Sequence, residues 1–367
     1  MEREKMNNEK KTKWNVGWGT VSLCNMKCEF CYSRSRREEE KDLNYSDWIK
    51  FIDENHDQIN SINYGTGENS LSDDWFKLID YVRKNYGEIR QAVTTNGYIS
   101  KAMKEDSLKL EIVNQSIDEF DISLDYADLD KHNVFRGQKN AGTWVMDTLE
   151  YCKNAQKEAT IVCLGSKKNM YMENIDGLFK IAARYNAKLR INIYRPTEGL
   201  NDFSRQFIWE PQELVNILYA INNKYKILAI SDALFSNILT DKSEEEHSGI
   251  DSIRILPDGS ITPSTYLIGD NYVIGNIKEN NVLTNLDKRE VLLNTVKVII
   301  PKECENCVYK NRCKGGVLDR RYLWYGSLKY KDPYCVFDID TIKKINISDQ
   351  HFESVHYGYL PTMFFLP

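Results

Sequence analysis

The sequence predicts an α/β fold, in which six strand–helix units build one parallel sheet and a smaller, turn-rich domain follows. Three observations point there. From residue 17 onward, short β-type runs alternate with amphipathic helical stretches. A loop with three cysteines, Cys24, Cys28 and Cys31, directly follows the first of those runs. Beyond about residue 235 the alternation gives way to short β runs and turns.

The strands are expected at 18–23, 61–64, 89–94, 120–124, 160–164 and 189–194. Helices are expected at 72–85, 143–157, 174–185 and 211–223. In the first of these Ser72 stands at the N-cap, Asp73 and Asp74 suit the positive end of the helix dipole, and Trp75, Ile79 and Val82 share one face. Successive parallel strands joined by helices take right-handed crossovers. A stretch rich in acidic and polar residues, 241–247, reads as a linker, and Pro257-Asp258-Gly259 reads as a hairpin turn. The expected division is an extension over 1–14, the strand–helix domain over 15–235, the second domain over 236–350 and an apolar tail over 351–367 that docks on the body.

With 41% hydrophobic and 28% charged residues the chain reads as globular, and no apolar run is long enough to span a bilayer. Its first residues are charged and lack the apolar core of a secretory signal, so a cytoplasmic location is expected. A net charge of −5 gives no argument for nucleic-acid binding. The one compact basic run, Arg34 to Arg37, is followed at once by Glu38 to Lys41 and reads as a solvated face.

Seven of the nine cysteines fall into two groups, which in a reducing compartment suggests metal ligands before disulfides. Cys24-Asn-Met-Lys-Cys28-Glu-Phe-Cys31 offers three thiolates, enough for three corners of a cubane iron–sulfur cluster, leaving the fourth iron open. Structural zinc wants a closed set of four, and no histidine precedes His56. The second group is Cys304, Cys307, Cys313 and the distant Cys335. By chemistry alone, four thiolates there suit structural zinc as well as a cluster. Cys152 and Cys163 read as buried core thiols.

The CX3CX2C spacing with Phe30 before its last cysteine resembles the signature of the radical S-adenosylmethionine (SAM) superfamily. That resemblance implies a partial (β/α)6 barrel of the TIM type, with reactive groups at the strand C-termini; an unrelated doubly wound sheet is the alternative. It further implies a [4Fe–4S] cluster on Cys24, Cys28 and Cys31 whose open iron is chelated by SAM, an external one-electron reductant, and a 5′-deoxyadenosyl radical. Gly65-Thr66-Gly67-Glu68 resembles the family's Gly-Gly-Glu element for the methionine ammonium, with Thr66 in place of the commoner glycine. Phe30 matches the aromatic beside the adenine. Asn96, in Thr95-Asn96-Gly97, is a further match. Ser123 and Arg136 match the pair that hold the ribose or the SAM carboxylate.

The C-terminal array is similar to a SPASM or twitch domain, here a small iron–sulfur domain. Pro263-Ser264 stands where that pattern has Pro-Cys, Val317 stands where it has a further cysteine, and no cysteine occurs between Cys163 and Cys304. The resemblance therefore implies one auxiliary [4Fe–4S] cluster, ligated by Cys304, Cys307, Cys313 and Cys335. The implied function is modification of a ribosomally made precursor peptide by crosslinking, epimerisation, decarboxylation or backbone excision. A small-molecule dehydrogenase or epimerase in antibiotic or cofactor biosynthesis is the alternative. About 15 residues precede the first strand, too few for a leader-binding winged-helix module, so a separate leader-binding protein is a candidate partner. An epimerase would need a thiol hydrogen-atom donor, and Cys163 is the catalytic candidate if its strand turns it toward the barrel interior.

Overall fold

In a computed structural model of the chain, the described residues are 13–33, 42–241, 249–290, 292, 300–335, 342–348, 354–355 and 363–366. The Arg34 to Lys41 run, the first twelve residues and all but the start of the expected linker lie outside them. Among the described residues eleven strands share one sheet: β1 Trp14–Trp18, β2 Ile59–Tyr64, β3 Arg90–Thr95, β4 Glu119–Ser123, β5 Glu158–Gly165, β6 Lys188–Ile193, β7 Lys226–Ile230, β8 Ser252–Ile255, β9 Ser260–Thr262, β10 Gly275–Asn276 and β11 Met363–Leu366. Their order is β10-β9-β8-β1-β2-β3-β4-β5-β6-β11-β7. β1 to β6 pair in sequence and in parallel, with helices as crossovers.

Side chains alternate between the two faces of these strands. On one face Val16, Trp18, Ile62, Tyr64, Val93, Phe120, Ile122, Ile161, Leu189 and Ile191 belong to the hydrophobic core. The helix Asp73–Asn85 adds Trp75, Phe76, Leu78, Ile79 and Val82 to it. Ser72 occupies that helix's N-cap position without a side-chain cap bond, so the acidic Asp73 and Asp74 are left to meet the first turn. The opposite face carries Asn63, Thr94, Ser123, Arg190 and Asn192, and these line a cavity. A parallel sheet buried under apolar layers on both sides would read as continuous hydrophobic runs. Polar alternation here marks a concave inner face.

The first strand ends at Trp18, not at the expected Leu23. Residues 21–23 instead cross the turn after β2: the Leu23 carbonyl accepts from Glu68 N at 2.9 Å, and a Cβ on Gly67 would lie 2.5 Å from that carbonyl oxygen. That crossing buries Val21 and leaves Leu23 exposed, so the apolar pair does not mark a sheet strand.

The C-terminal residues extend the same sheet. β8 runs parallel to β1, with Arg254 opposite Gly17, and the Pro257-Asp258-Gly259 turn leads into antiparallel β9, Gly259 taking φ +86°. The boundary expected at residue 235 falls inside the buried helix Ala233–Leu239. The tail enters the sheet as β11, antiparallel between β6 and β7. Just before it, Ser354 Oγ and Val355 N donate to the buried Glu119 carboxylate, and Val355 packs on Ala92.

Candidate active site

A cavity of about 1320 Å³ opens where the C-terminal ends of β1 to β6 converge. Cys24, Cys28 and Cys31, on the loop after β1, all line it. Asn96 Nδ2 lies 3.8 Å from Cys24 Sγ, the Cys28 thiol faces the Arg136 carbonyl at 3.6 Å, and Cys31 Sγ lies 3.4 Å from Ser33 Oγ. Burial pushes the Cys28 thiol up to about 11, the neighbouring Cys31 and Cys24 adding to the effect and Arg136 opposing it. Among the described residues no three His, Cys, Asp or Glu side chains converge on a point that would hold a single metal ion. The three thiols instead border a shared space. That donor set fits three corners of a cubane better than a closed zinc tetrahedron.

The Gly65–Glu68 turn follows β2. Gly67 has φ +62°, and its missing Cβ leaves room for the crossing loop. Thr66 adopts φ +77°, a left-handed conformation costly for a β-branched residue. It is held there through its hydroxyl, which pairs with Tyr32 Oη at 2.8 Å and accepts from Arg254 Nη2. Gly65, Thr66 and Gly67 line the cavity; Glu68 does not. Its fully buried carboxylate accepts from Ser70 Oγ at 2.6 Å, Thr95 Oγ1 at 3.0 Å and Asn96 N at 2.8 Å. Burial raises its pKa while these bonds oppose the shift. Glu68 thus fastens the end of β3 to the turn, and through Asn96 it sets the surroundings of Cys24.

Ser123 and Arg136 also line the cavity. Arg136 Nε donates to Asp125 Oδ2 at 2.6 Å, and Asp125 Oδ1 accepts from Leu164 N at 2.9 Å. His132 Nδ1 accepts from Asp125 N at 3.2 Å, and burial pulls this histidine down to about 4. Phe30 stacks on Phe135 at 4.4 Å between centroids, with the Arg136 guanidinium 5.1 Å from the Phe30 ring centre.

Cys163 is placed elsewhere, which corrects its reading as an inward donor. On β5 it is Val162 and Leu164 that line the cavity. Cys163 has the opposite parity and is fully buried in the core, its Sγ receiving Asn169 Nδ2 at 3.3 Å. Burial drives its pKa well upward, as for an inert thiol. Cys152 is likewise buried core.

Sequence reasoning missed the far wall. Arg190, Asn192, Tyr194 and Arg195 from β6 and its end, Arg254 from β8, and Tyr266 all line the cavity. The alternation in Leu189-Arg190-Ile191-Asn192-Ile193-Tyr194 was a signal for the β6 residues. Arg254 had none, because only the β8–β1 pairing turns it inward. Arg195 Nε donates to Asp319 Oδ1 at 2.8 Å, tying this wall to the C-terminal helix Leu318–Tyr325.

Cys304, Cys307, Cys313 and Cys335 line a second, separate cavity of about 300 Å³, shared with Leu234 and Ile238. Burial raises the pKa of Cys304 and Cys313 and pushes Cys335 up to about 11. Beside it, Arg320 bridges Asp332 and Asp232, and Asp332 also accepts from Val317 N at 3.0 Å. Val317, which takes the place of the further SPASM cysteine, is buried, and its backbone serves this network.

Residues 20–176 match the Radical SAM superfamily. The chain is 25% identical over 340 residues to the mycofactocin maturase MftC of Mycolicibacterium smegmatis, covering 87% of this chain and 81% of that protein. In structure it resembles Streptococcus suis SuiB bound to precursor peptide SuiA, with TM-score 0.69 and 16% identity over 90% of this chain and 76% of the other. It also resembles anSMEcpe with bound AdoMet, with TM-score 0.70 and 20% identity over 87% and 93%. These likenesses show that the fold is the α/β partial barrel. No helix among the described residues is long and apolar enough to cross a membrane.

Proposed function

The chain is a radical SAM enzyme, its superfamily domain spanning residues 20–176, and from that premise we propose that it modifies a ribosomally made precursor peptide held in the large cavity. One observation carries the reading. The three thiols, the Gly65–Gly67 turn, Asn96, Ser123 and Arg136 all border one concave space, in the order expected on successive strand ends. The similarity to a mycofactocin maturase over most of the chain, and the fold shared with SuiB bound to precursor peptide SuiA, support a peptide substrate.

In this proposal Cys24, Cys28 and Cys31 hold a [4Fe–4S] cluster, and the backbone of Gly65–Gly67 receives the amino-acid part of SAM. Bound together, the cluster and SAM supply a 5′-deoxyadenosyl radical that abstracts hydrogen. Asp125 holds Arg136 over Phe30, so that a cation and an aromatic face are both preset for the nucleoside end. Glu68 acts as a positioning residue, locking Asn96 beside Cys24. Aromatic walls from Tyr194 and Tyr266 help to exclude water from the reacting groups.

We further assign Cys304, Cys307, Cys313 and Cys335 to one auxiliary [4Fe–4S] cluster, the C-terminal region being of SPASM or twitch type. Their small cavity has apolar walls and is lined by all four thiols, which suits electron transfer or structural support better than substrate binding. An external one-electron reductant is required, and a reducing cytoplasm suits both thiolate sets.

The experiment is anaerobic reconstitution with SAM, dithionite and each short peptide found encoded beside the gene. The expected result is 5′-deoxyadenosine together with a mass change in the peptide. SAM cleavage that leaves every such peptide unmodified, alone or with a separate leader-binding protein, would turn the reading toward a small-molecule substrate.

A further inference from the structure

The wall of the cavity formed by β6 carries polar groups that no described residue satisfies. Arg190 is 2% exposed and forms an ion pair with Asp121 through Nη2, yet its Nε and Nη1 have no hydrogen-bond partner among the described residues. Two residues on, at the next inward position of the strand, the side-chain oxygen of Asn192 is also without a partner. Both residues line the cavity. Buried donors and acceptors are normally satisfied, so three open ones along one cavity wall point to a ligand or ordered water that meets them there. Asp121 meets the guanidinium at Nη2 alone, so a second carboxylate can take Nε or Nη1 together with the remaining Nη2 hydrogen.

The charge around the cavity favours a single negative unit. Arg136 is paired with Asp125, Arg190 with Asp121 and Arg195 with Asp319. Arg254, 4% exposed, lines the same cavity and donates only to the Tyr32 and Thr66 hydroxyls; it makes no ion pair among the described residues. That cation sits by the turn after β2; at the β6 wall, where Asp121 already offsets the guanidinium charge, the open Arg190 donors suit a singly charged carboxylate better than a phosphate dianion. The Asn192 oxygen beside it suits an amide N–H next to that carboxylate. β6 lies four strands from β2, about 19 Å along the sheet, so the wall is set apart from the Gly65–Gly67 turn, while Ser123 stands in register two strands away.

We propose that Arg190 and Asn192 form a substrate-carboxylate subsite, which anchors the peptide through its C-terminal carboxylate or an acidic side chain. This rests on the peptide reading above. The probes are N-acetyl-alanyl-alanine, its C-terminal amide, and N-acetyl-aspartyl-alaninamide, titrated by ligand-observed NMR into reconstituted, SAM-loaded enzyme. At least one carboxylate probe should bind about tenfold or more tighter than the amide. Preference for the first probe assigns a C-terminal carboxylate, and preference for the third an acidic side chain. Arg190→Gln should erase the preference; because that change strands Asp121, the Asp121→Asn/Arg190→Gln pair is measured alongside it and should behave alike. Equal binding of acids and amide by the wild type, or a preference that survives in either variant, would overturn the subsite. So would a tenfold loss of SAM affinity with the preference intact, which would give Arg190 to SAM. Dithionite-dependent 5′-deoxyadenosine in the same samples separates the failures: its absence counts against the radical reading, its presence without a carboxylate preference against this inference alone.

Discussion

The two cysteine sites differ in what surrounds equivalent thiols. Cys24, Cys28 and Cys31 border a cavity of about 1320 Å³ whose walls bear asparagine, threonine, serine and arginine side chains from several strands. Cys304, Cys307, Cys313 and Cys335 enclose about 300 Å³ against Leu234 and Ile238. In the proposed reading, three thiolates in a polar, roomy wall would leave space for a reactant at the cluster, and four thiolates in an apolar wall would leave none. The number of thiols and the size of the space would then separate a site for chemistry from a site for electrons or stability.

The largest effect should come from replacing Cys24, Cys28 and Cys31 together by alanine. Reductant-dependent 5′-deoxyadenosine should fall below detection, and retained cleavage would erase the contrast between the sites. Cys335→Ala should lower the iron content from about eight to about four per chain, with a lower Tm and a much smaller loss of SAM cleavage than in the triple variant. Zinc in place of iron at that site would break the comparison from the other side.

Acid should act on the first site through His132. Its folded pKa, about 4, lies below the ordinary value of 6.5, so the unfolded chain takes up a proton that the folded chain refuses. Its share of stability is whole above about pH 6.5 and is lost as pH falls toward 4, by up to about 3 kcal/mol. Glu68, raised by burial, pulls the other way. The histidine's part is therefore read as the difference between wild type and His132→Gln in urea melts at pH 7 and pH 5. An unchanged difference at the two pH values would remove His132 from the account.

A smaller pair of effects compares one glycine at each site. Gly67→Ala forces a Cβ to 2.5 Å from the Leu23 carbonyl oxygen at φ +62°, and Gly316→Ala forces one to 2.3 Å from Asp332 Cβ at φ +93°. Each should cost about 2 kcal/mol. Gly67→Ala should weaken SAM binding, while Gly316→Ala should lower iron content. Identical phenotypes would show that the two sites are not separable.

Much of the first site was legible because its residues sit in short local motifs at strand ends. The cysteine loop, Gly65 to Gly67, Asn96, Ser123 and Arg136 were named from the chain, and all of them face the cavity. Glu68 belonged to such a motif too, but its side chain turns into the protein, a direction the motif does not encode. Cys163 was left open because strand parity is set by register, and one residue of slip moves every side chain to the other face. Arg254 was invisible for a related reason. It reaches the cavity only because β8, more than 230 residues after β1, pairs beside it.

Reading the residues in order was enough for the α/β alternation, the two thiol sets and the motifs that connect them, because helical and strand periods and cysteine spacing are local properties. Packing alone decided which strands neighbour one another across the chain, that the tail enters as β11 between β6 and β7, and that Arg190, Asn192 and Arg254 face one space. Those outcomes depend on non-local pairing and on how a sheet curves, and neither leaves a periodic trace in a single stretch of sequence.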